Sequence, residues 1–473
     1  MEDKQAHIKT VINIANTVRS TLGPRGRNKL VMHEQNPILT NDGATIIRHL
    51  HHPHPLMESL KNLAVSQEEA VGDGTTTSMI LIADLLEKAL TLIAQGIHPT
   101  NIINGYTIAA SEAVKYLKEN EFEADKRKVI KTCFGSKISK DFSEHLSNLL
   151  IDIDIEKLQI FKLENSNPLN STLEEGFIFP GFTINEQMPS ETSGKIAILD
   201  TRGDLELSKF EVTKAEELEN ISKYNRDYKQ KIVDRLSELD VKILFYSDTN
   251  PELETLLTEA GIMSIVTYDR NIISNICKAT GAIVIGDPNR IEDKSIGNGG
   301  VVYMKNPNRI MIKNKESEIK TLILRGSTRQ TIDEAGRAID DVMGLLRNSD
   351  KCVYGAGSIE VGLSLHLSEF AKEVGGKEQI VVDEFSKSIE AIPKTLANNC
   401  GFDSIDVLTS LKALHRKGQN DMGVDDRLMV SSAKERGIIE PTIIKLHSII
   451  GATEVCNLVL KLDDIYQGEP KDD

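Results

Sequence analysis

The chain has 473 residues, 40% hydrophobic and 27% charged, with a formal net charge of −15 at pH 7. That length exceeds what one hydrophobic core ordinarily holds, so two or three domains are expected. An acidic balance without a basic stripe argues against nucleic-acid binding. Aromatics make up only 4% and Trp is absent, so Ile, Leu, Val, Ala and Met must fill the interior.

Cys133, Cys277, Cys352, Cys400 and Cys456 are odd in number and form no Cys-x-x-Cys pair. They read as buried free thiols of a reducing compartment. The N-terminal MEDKQAHIKT has no apolar h-region, and no run of 18 apolar residues occurs. A cytoplasmic protein with no membrane contact is therefore expected.

Residues 1–128 read as mostly helical. Ile8, Val11, Ile12, Ala15 and Val18 recur at helical spacing, and Leu22-Gly23-Pro24 ends the helix. Segments 29–32 and 38–40 read as a hairpin turning at Asn36-Pro37. A glycine-rich loop at 72–74 leads into an apolar helix over 78–95, and 100–120 is helical again. The polar stretch Asn165-Ser166-Asn167-Pro168 reads as a linker.

Beyond it the character changes. Runs at 195–199, 241–246, 264–267 and 282–285 are β-rich and alternate with helices such as 251–260, the pattern of an α/β layer. A polar helix over 215–239 carries a thin apolar stripe of Leu218, Ile221, Tyr224, Tyr228, Ile232 and Leu236. Such a stripe suits a projecting helix or an ordinary surface helix equally. Residues 330–372 are helical, then glycine-rich at Tyr354-Gly355-Ala356-Gly357, and one long amphipathic helix is expected over 378–399. Similar outer segments around a different centre indicate a domain inserted within a domain.

The strongest chemical signal is Val71-Gly72-Asp73-Gly74-Thr75-Thr76-Thr77 before the apolar helix. Glycines let backbone approach a phosphate, and free N–H groups at a helix start bind anions. The hydroxyls can donate to phosphate oxygens, and Asp73 is placed to hold a bridging Mg²⁺. A glycine turn with a Thr cap is the ordinary alternative; the interleaved Asp favours phosphate. Leu22-Gly23-Pro24-Arg25-Gly26 is a second loop, alone no more than a turn, and no Gly-Lys-Ser/Thr follows as in a Walker A loop. Asp42, in Thr40-Asn41-Asp42-Gly43-Ala44-Thr45, can orient a water, help hold metal, or simply cap a helix. Asp340-Asp341 offers a second hydrolytic carboxylate, with a solvated helix face as the default for either residue. His49, His51, His52 and His54 lack convincing metal spacing and read as an exposed loop. Nothing resembles a Ser-His-Asp or Cys-His pair.

In this order and within about 55 residues, the three loops resemble the group II chaperonins. The resemblance continues through Gly135-Ser136-Lys137, Ile323-Leu324-Arg325-Gly326, Asp341, Ile392-Pro393, Gly423-Val424-Asp425 and Glu440-Pro441, and is weakest over 150–320. Within the family the chain is most similar to the eukaryotic cytosolic chaperonin. Leu324-Arg325-Gly326-Ser327-Thr328-Arg329-Gln330 and Gly401-Phe402-Asp403-Ser404 resemble its beta subunit, and 97–116 its alpha subunit.

The resemblance implies an α+β multidomain chaperonin fold. A mostly helical equatorial ATP-binding domain would span 1–128 and 373–473. A small intermediate hinge would span 129–168 and 330–372. An α/β apical substrate-binding domain with a helical protrusion would span 169–329. It implies an ATP-dependent folding chaperone, one subunit of a double ring of paralogous subunits enclosing unfolded clients such as cytoskeletal proteins, with a prefoldin-like co-chaperone as a further partner. By resemblance, Leu22, Gly23, Gly74, Thr75, Thr76 and Thr77 would cradle the phosphates of ATP, and Asp73 would bind Mg²⁺. Asp42 and Asp341 would position the attacking water, and Ser136 and Lys137 would sense the γ-phosphate. Gly355, Ala356, Gly357, Asp425, Glu440 and Lys445 would line the nucleoside side. Ala356 replaces the middle glycine of the family's triple glycine, and Gly336 and Asp340 replace the Glu and His flanking the catalytic Asp. These departures leave open a structural ring subunit with weak or absent ATP hydrolysis.

Overall fold

A computed structural model describes residues 2–33, 36–123, 125–135, 137–180, 189–200, 215–247, 250–305, 308–348 and 351–463. The chain divides into two compact units, 1–151 with 328–473, and 152–327.

The first unit is built around helix Thr75–Ala94. Met79, Ile80, Leu81, Ile82, Leu85, Leu86, Ala89 and Leu92 bury every side of it, as befits a helix apolar all round. Helices Glu2–Asn16 and Thr442–Lys461 pack on it, and the latter also packs on Pro99–Glu119. Among the described residues Thr442–Lys461 alone is long and apolar enough to cross a membrane. Its buried Ile444, Ile449, Ala452, Cys456, Val459 and Leu460 belong to this core, which accounts for the composition.

Two expectations need correction. Residues 378–399 are two helices, Glu378–Ile389 and Ala391–Cys400. Pro393 has no N–H to give the Ile389 carbonyl and its ring clashes there, so the ladder stops. It resumes with the Lys394 N–H donating to the Glu390 carbonyl at 3.1 Å. In the hairpin, Asn36 and Pro37 do not form the turn. They begin strand Asn36–Thr40, opposite His33 and Met32 of Lys29–His33. Proline is tolerated there because a two-stranded ribbon is all edge.

The second unit carries a nine-stranded sheet in the order Leu158–Leu163, Lys320–Arg325, Thr172–Pro180, Asn308–Lys313, Gly297–Lys305, Glu191–Leu199, Val241–Tyr246 and Met263–Val266, with Val284–Ile285 pairing off Glu191–Leu199. Only the last three of the eight and the Val284–Ile285 pair coincide with the β-rich runs read from sequence, and the expected strand at 282–285 shrinks to two residues. The missed strands include Gly297–Lys305, whose opening Gly-Asn-Gly-Gly reads as a turn. Tertiary pairing overrides that reading: Gly299 and Gly300 sit opposite Gly194 and Ser193. Helix Ala215–Glu238 packs its C-terminal half on this layer through Ile232, Val233 and Leu236. The buried Lys229 ammonium there meets Glu252 at 2.9 Å. Tyr224 is exposed, and the side chains of 215–222, Leu218 and Ile221 among them, lie outside the described residues.

Candidate functional site

Helix Leu56–Val71 ends at Gly72, whose φ of +84° is a left-handed cap natural to glycine, and its N–H donates to the Glu68 carbonyl at 2.8 Å. Gly74, at φ +94°, caps the start of Thr75–Ala94 and supplies no side chain to satisfy the first-turn N–H groups. A Cβ on Gly74 would stand 2.5 Å from Ile444 Cγ2 and 2.8 Å from Gln67 Nε2, so only glycine fits. Between them Asp73 is pinned. Its Oδ1 accepts the Gly74 N–H at 2.8 Å, and its carbonyl accepts from Gln67 Nε2 at 2.9 Å.

These loops form one wall of a cavity of about 550 Å³ inside the first unit, within the size range of small-molecule sites. Leu22, Gly23, Asp42, Asp73, Gly74 and the three threonines line it on one side. Lys137 and Asp341 close another, and Ala356, Gly357, Asp425, Glu440 and Lys445 a third. Gly355 is not in the wall. It backs Glu440, whose Oε1 would lie 2.5 Å from a Cβ there. Ser136 lies outside the described residues.

Lys137 is the electrostatic centre. Its largely enclosed ammonium donates to Asp341 Oδ2 and lies 3.7 Å from Asp73 Oδ1. Burial opposes the ammonium's charge, but Asp341 and Asp73 outweigh it and raise its pKa. Burial, with Asp73 and Asp42 adding like charge, pushes Asp341 up to about 8 against the pull of Lys137. Three carboxyl groups thus crowd one ammonium, and a divalent cation would favour their charged forms. Among the described residues no three His, Cys, Asp or Glu side chains form a metal cage. Mg²⁺ does not require one, since it is held by one or two carboxylates together with substrate phosphates. Asp73 fits that role, because Oδ2 receives only the distant Cys133 thiol at 3.9 Å. Asp42 turns out to be a cap as well: Oδ2 accepts the Thr45 N–H at 2.8 Å at the start of helix Gly43–His49.

The third wall is more rigid than its sequence announces. Lys445, buried, meets Glu440 at 2.5 Å and Glu360 at 2.7 Å, so it steadies Glu440 rather than reaching freely into the space. Every oxygen of Asp425 has internal partners: Oδ1 accepts the Arg427 and Leu428 N–H groups at 2.8 Å each, and Oδ2 takes Ser431 at 2.7 Å and Arg436 at 2.6 Å. Burial alone would raise its pKa, but these donors hold it down at about 2. Ala356 sits at φ +58°, a region L-residues enter at a cost of roughly 1–2 kcal/mol.

Sequence reasoning missed three supporting residues. Asn399 Nδ2 donates to the carbonyls of Leu22 at 2.9 Å and Arg19 at 3.2 Å, fixing the first loop from the far end of the chain. Glu360 anchors Lys445. Glu68, paired with Arg48, lines the cavity near Asp42, and burial raises its pKa. No local pattern announces any of them. The histidine loop engages the N-terminal helix, with His7 Nδ1 and His54 Nε2 2.8 Å apart.

The cavity is thus walled by glycine loops, threonines and carboxyl groups, with Lys137 set between Asp341 and Asp73. The profile of the TCP-1/cpn60 chaperonin family matches residues 14–470, and the chain belongs to that family, in its thermosome-like group II branch, with the multidomain α+β chaperonin fold. It is similar to thermosome subunit beta of Archaeoglobus fulgidus, 31% identical over 96% of this chain and 89% of the relative. Thermosome subunit 1 of Haloferax volcanii is 32% identical over 96% and 86%. Thermosome subunit beta of Methanothermobacter thermautotrophicus is 32% identical over 96% and 89%.

Proposed function

We propose that this chain is an ATP-hydrolysing subunit of a double-ring folding chaperone. The observation that carries the reading is Lys137, which draws together Asp341 and Asp73 from segments far apart in sequence inside one cavity. Thr75, Thr76 and Thr77 with the first-turn N–H groups, Gly23 and Gly74 receive the phosphates. Asp73 would hold an accompanying Mg²⁺, which would supply charge neutralisation at the phosphates. Asp341 and Asp42 orient the attacking water. Lys137 stands beside Asp341, ready to move to the γ-phosphate. Glu440, braced by Lys445, faces the nucleoside end.

The 1–128/373–473, 129–168/330–372 and 169–329 domains would couple this site to closure over a client, with hinge motion carried by the segment bearing Asp341. Assembly with paralogous subunits, as in the eukaryotic cytosolic complex, rests on the beta-like motifs; the archaeal relatives support the ring without distinguishing the branch. Cytosolic placement fits the five unpaired thiols. A second reading, a subunit that binds ATP and barely turns it over, is favoured by strained Ala356. Two measurements on the native material test both. A particle near a megadalton with Mg²⁺-dependent ATPase supports the motor. A ring that binds nucleotide but whose turnover is unchanged by Asp341→Ala supports the passive subunit. A free 52.4 kDa monomer contradicts both.

A further inference from the structure

Asp341 rides on helix Arg329–Asn348, which packs on helices Leu56–Val71 and Lys126–Phe134. One turn beyond Asp341 this helix carries Gly344, in an interior position where glycine is a poor helix former. Gly344 meets Gly72 backbone to backbone. A Cβ on Gly344 would lie 2.8 Å from Gly72 Cα, 3.2 Å from the Val71 carbonyl oxygen and 3.3 Å from the Gly72 nitrogen. From the other side, a Cβ on Gly72 would lie 2.9 Å from Gly344 Cα and 3.0 Å from the Asp341 carbonyl oxygen. Every obstructing atom is main chain, so no side-chain rotation relieves the collision.

The two glycines meet directly behind the catalytic cluster. Gly72 precedes Asp73, and Gly344 lies on the same helix face as Asp341, one turn on. The gap between the two backbones therefore sets how near the Asp341 carboxylate comes to Lys137 and to the metal-binding Asp73. Gly72 must be glycine anyway, because of its left-handed φ of +84°. Gly344 has no such conformational demand, being helical, so close approach is what its missing side chain provides.

We propose that Gly344 is a positioning residue. Its lack of a side chain lets the Asp341 helix seat against the phosphate loop, and any Cβ there holds Asp341 back from the reacting water. The proposal rests on the reading of the cavity as an ATP-hydrolysing site. A displacement approaching 1 Å at a catalytic group lowers turnover by about 10²-fold, so Gly344→Ala lowers kcat by about tenfold or more. Nucleotide binding, carried by the loops that stay in place, changes by less than about twofold. Helix propensity alone predicts the opposite tendency, a firmer helix and a higher Tm.

The test compares the wild-type full chain in its native assembly with Gly344→Ala and with Met343→Ala on the neighbouring helix position. It measures kcat, the Kd of a non-hydrolysable ATP analogue with Mg²⁺, and hydrogen exchange of the 68–76 peptide without nucleotide. The expected result is a kcat loss confined to Gly344→Ala, an unchanged Kd, and faster exchange at 68–76. Wild-type turnover with a wild-type kcat in Gly344→Ala overturns the proposal. So does a loss of affinity matching the loss of kcat, or failure of the variant to fold, since the helix is held to back away intact. Absence of turnover in the wild type defeats the ATPase reading instead, and the exchange arm then still decides whether Gly344 seats the helix.

Discussion

Replacing Asp341 by Asn should stabilise the nucleotide-free chain at alkaline pH while abolishing turnover. Asp341 is held at about 8, because burial and then Asp73 and Asp42 disfavour its charge more than Lys137 favours it. The sign follows from linkage. A carboxyl whose pKa is higher folded than unfolded binds its proton more tightly in the native state, so stability falls as pH rises from about 4 towards 8 and stays low beyond. Between the ordinary value of 3.8 and about 8 the full penalty approaches 6 kcal/mol as an upper bound. An amide never pays for ionisation, and its carbonyl oxygen can accept from Lys137 as the neutral carboxyl does; the value of about 8 already includes the pull of Lys137 on the carboxylate. The gain is therefore largest above pH 8, bounded by that penalty, and falls to about 1.6 kcal/mol at pH 5, where the native carboxyl is neutral but the unfolded one is still ionised. Thermal melts should show the variant above wild type by several degrees at pH 8.5, with the gap shrinking towards pH 5 and closing below about pH 4. Single-turnover hydrolysis should fall by about 10²–10⁴-fold. A variant that melts below wild type at pH 8.5 would refute the reasoning, because the Asp341–Lys137 pair would then be a net stabiliser.

Asp425→Ala should cost about 2 kcal/mol at pH 7, since a carboxyl lowered from 3.8 to about 2 contributes stability present above pH 4 and lost as pH falls through 2. Acid titration of the melting point of both proteins checks this, with the curves converging below pH 2. Ala356→Gly removes a left-handed non-glycine residue and should raise stability by up to about 1 kcal/mol, read in urea as a higher midpoint at constant slope. Asn399→Ala frees the Leu22 and Arg19 carbonyls and should weaken ATP binding several-fold, leaving affinity unchanged only if the first loop plays no part in holding phosphate.

What the sequence disclosed was local. The Gly72-Asp73-Gly74-Thr75 loop announces itself because glycines, carboxylate and helix start fall within a few residues, and the coordinates place it on a cavity wall. The partnership of Lys137 with Asp341 spans 204 residues and came from resemblance alone, since no periodicity links them. Asn399, Glu360 and Gly344 are invisible for the same reason: each acts on a segment far away in sequence, and no local pattern links the two. The break at Pro393 was missed although proline chemistry announces it, whereas Gly297–Lys305 had no local signal, because its glycines take their extended form only from the strands beside them.

The central claim is tested most directly by a structure of the full chain with Mg²⁺ and a non-hydrolysable ATP analogue. The account predicts the ion on Asp73 and the terminal phosphate beside Lys137, with Asp341 and Asp42 flanking the position of an attacking water. A nucleotide bound elsewhere, or one seated in the cavity with Asp341 turned away from its terminal phosphate, would contradict it.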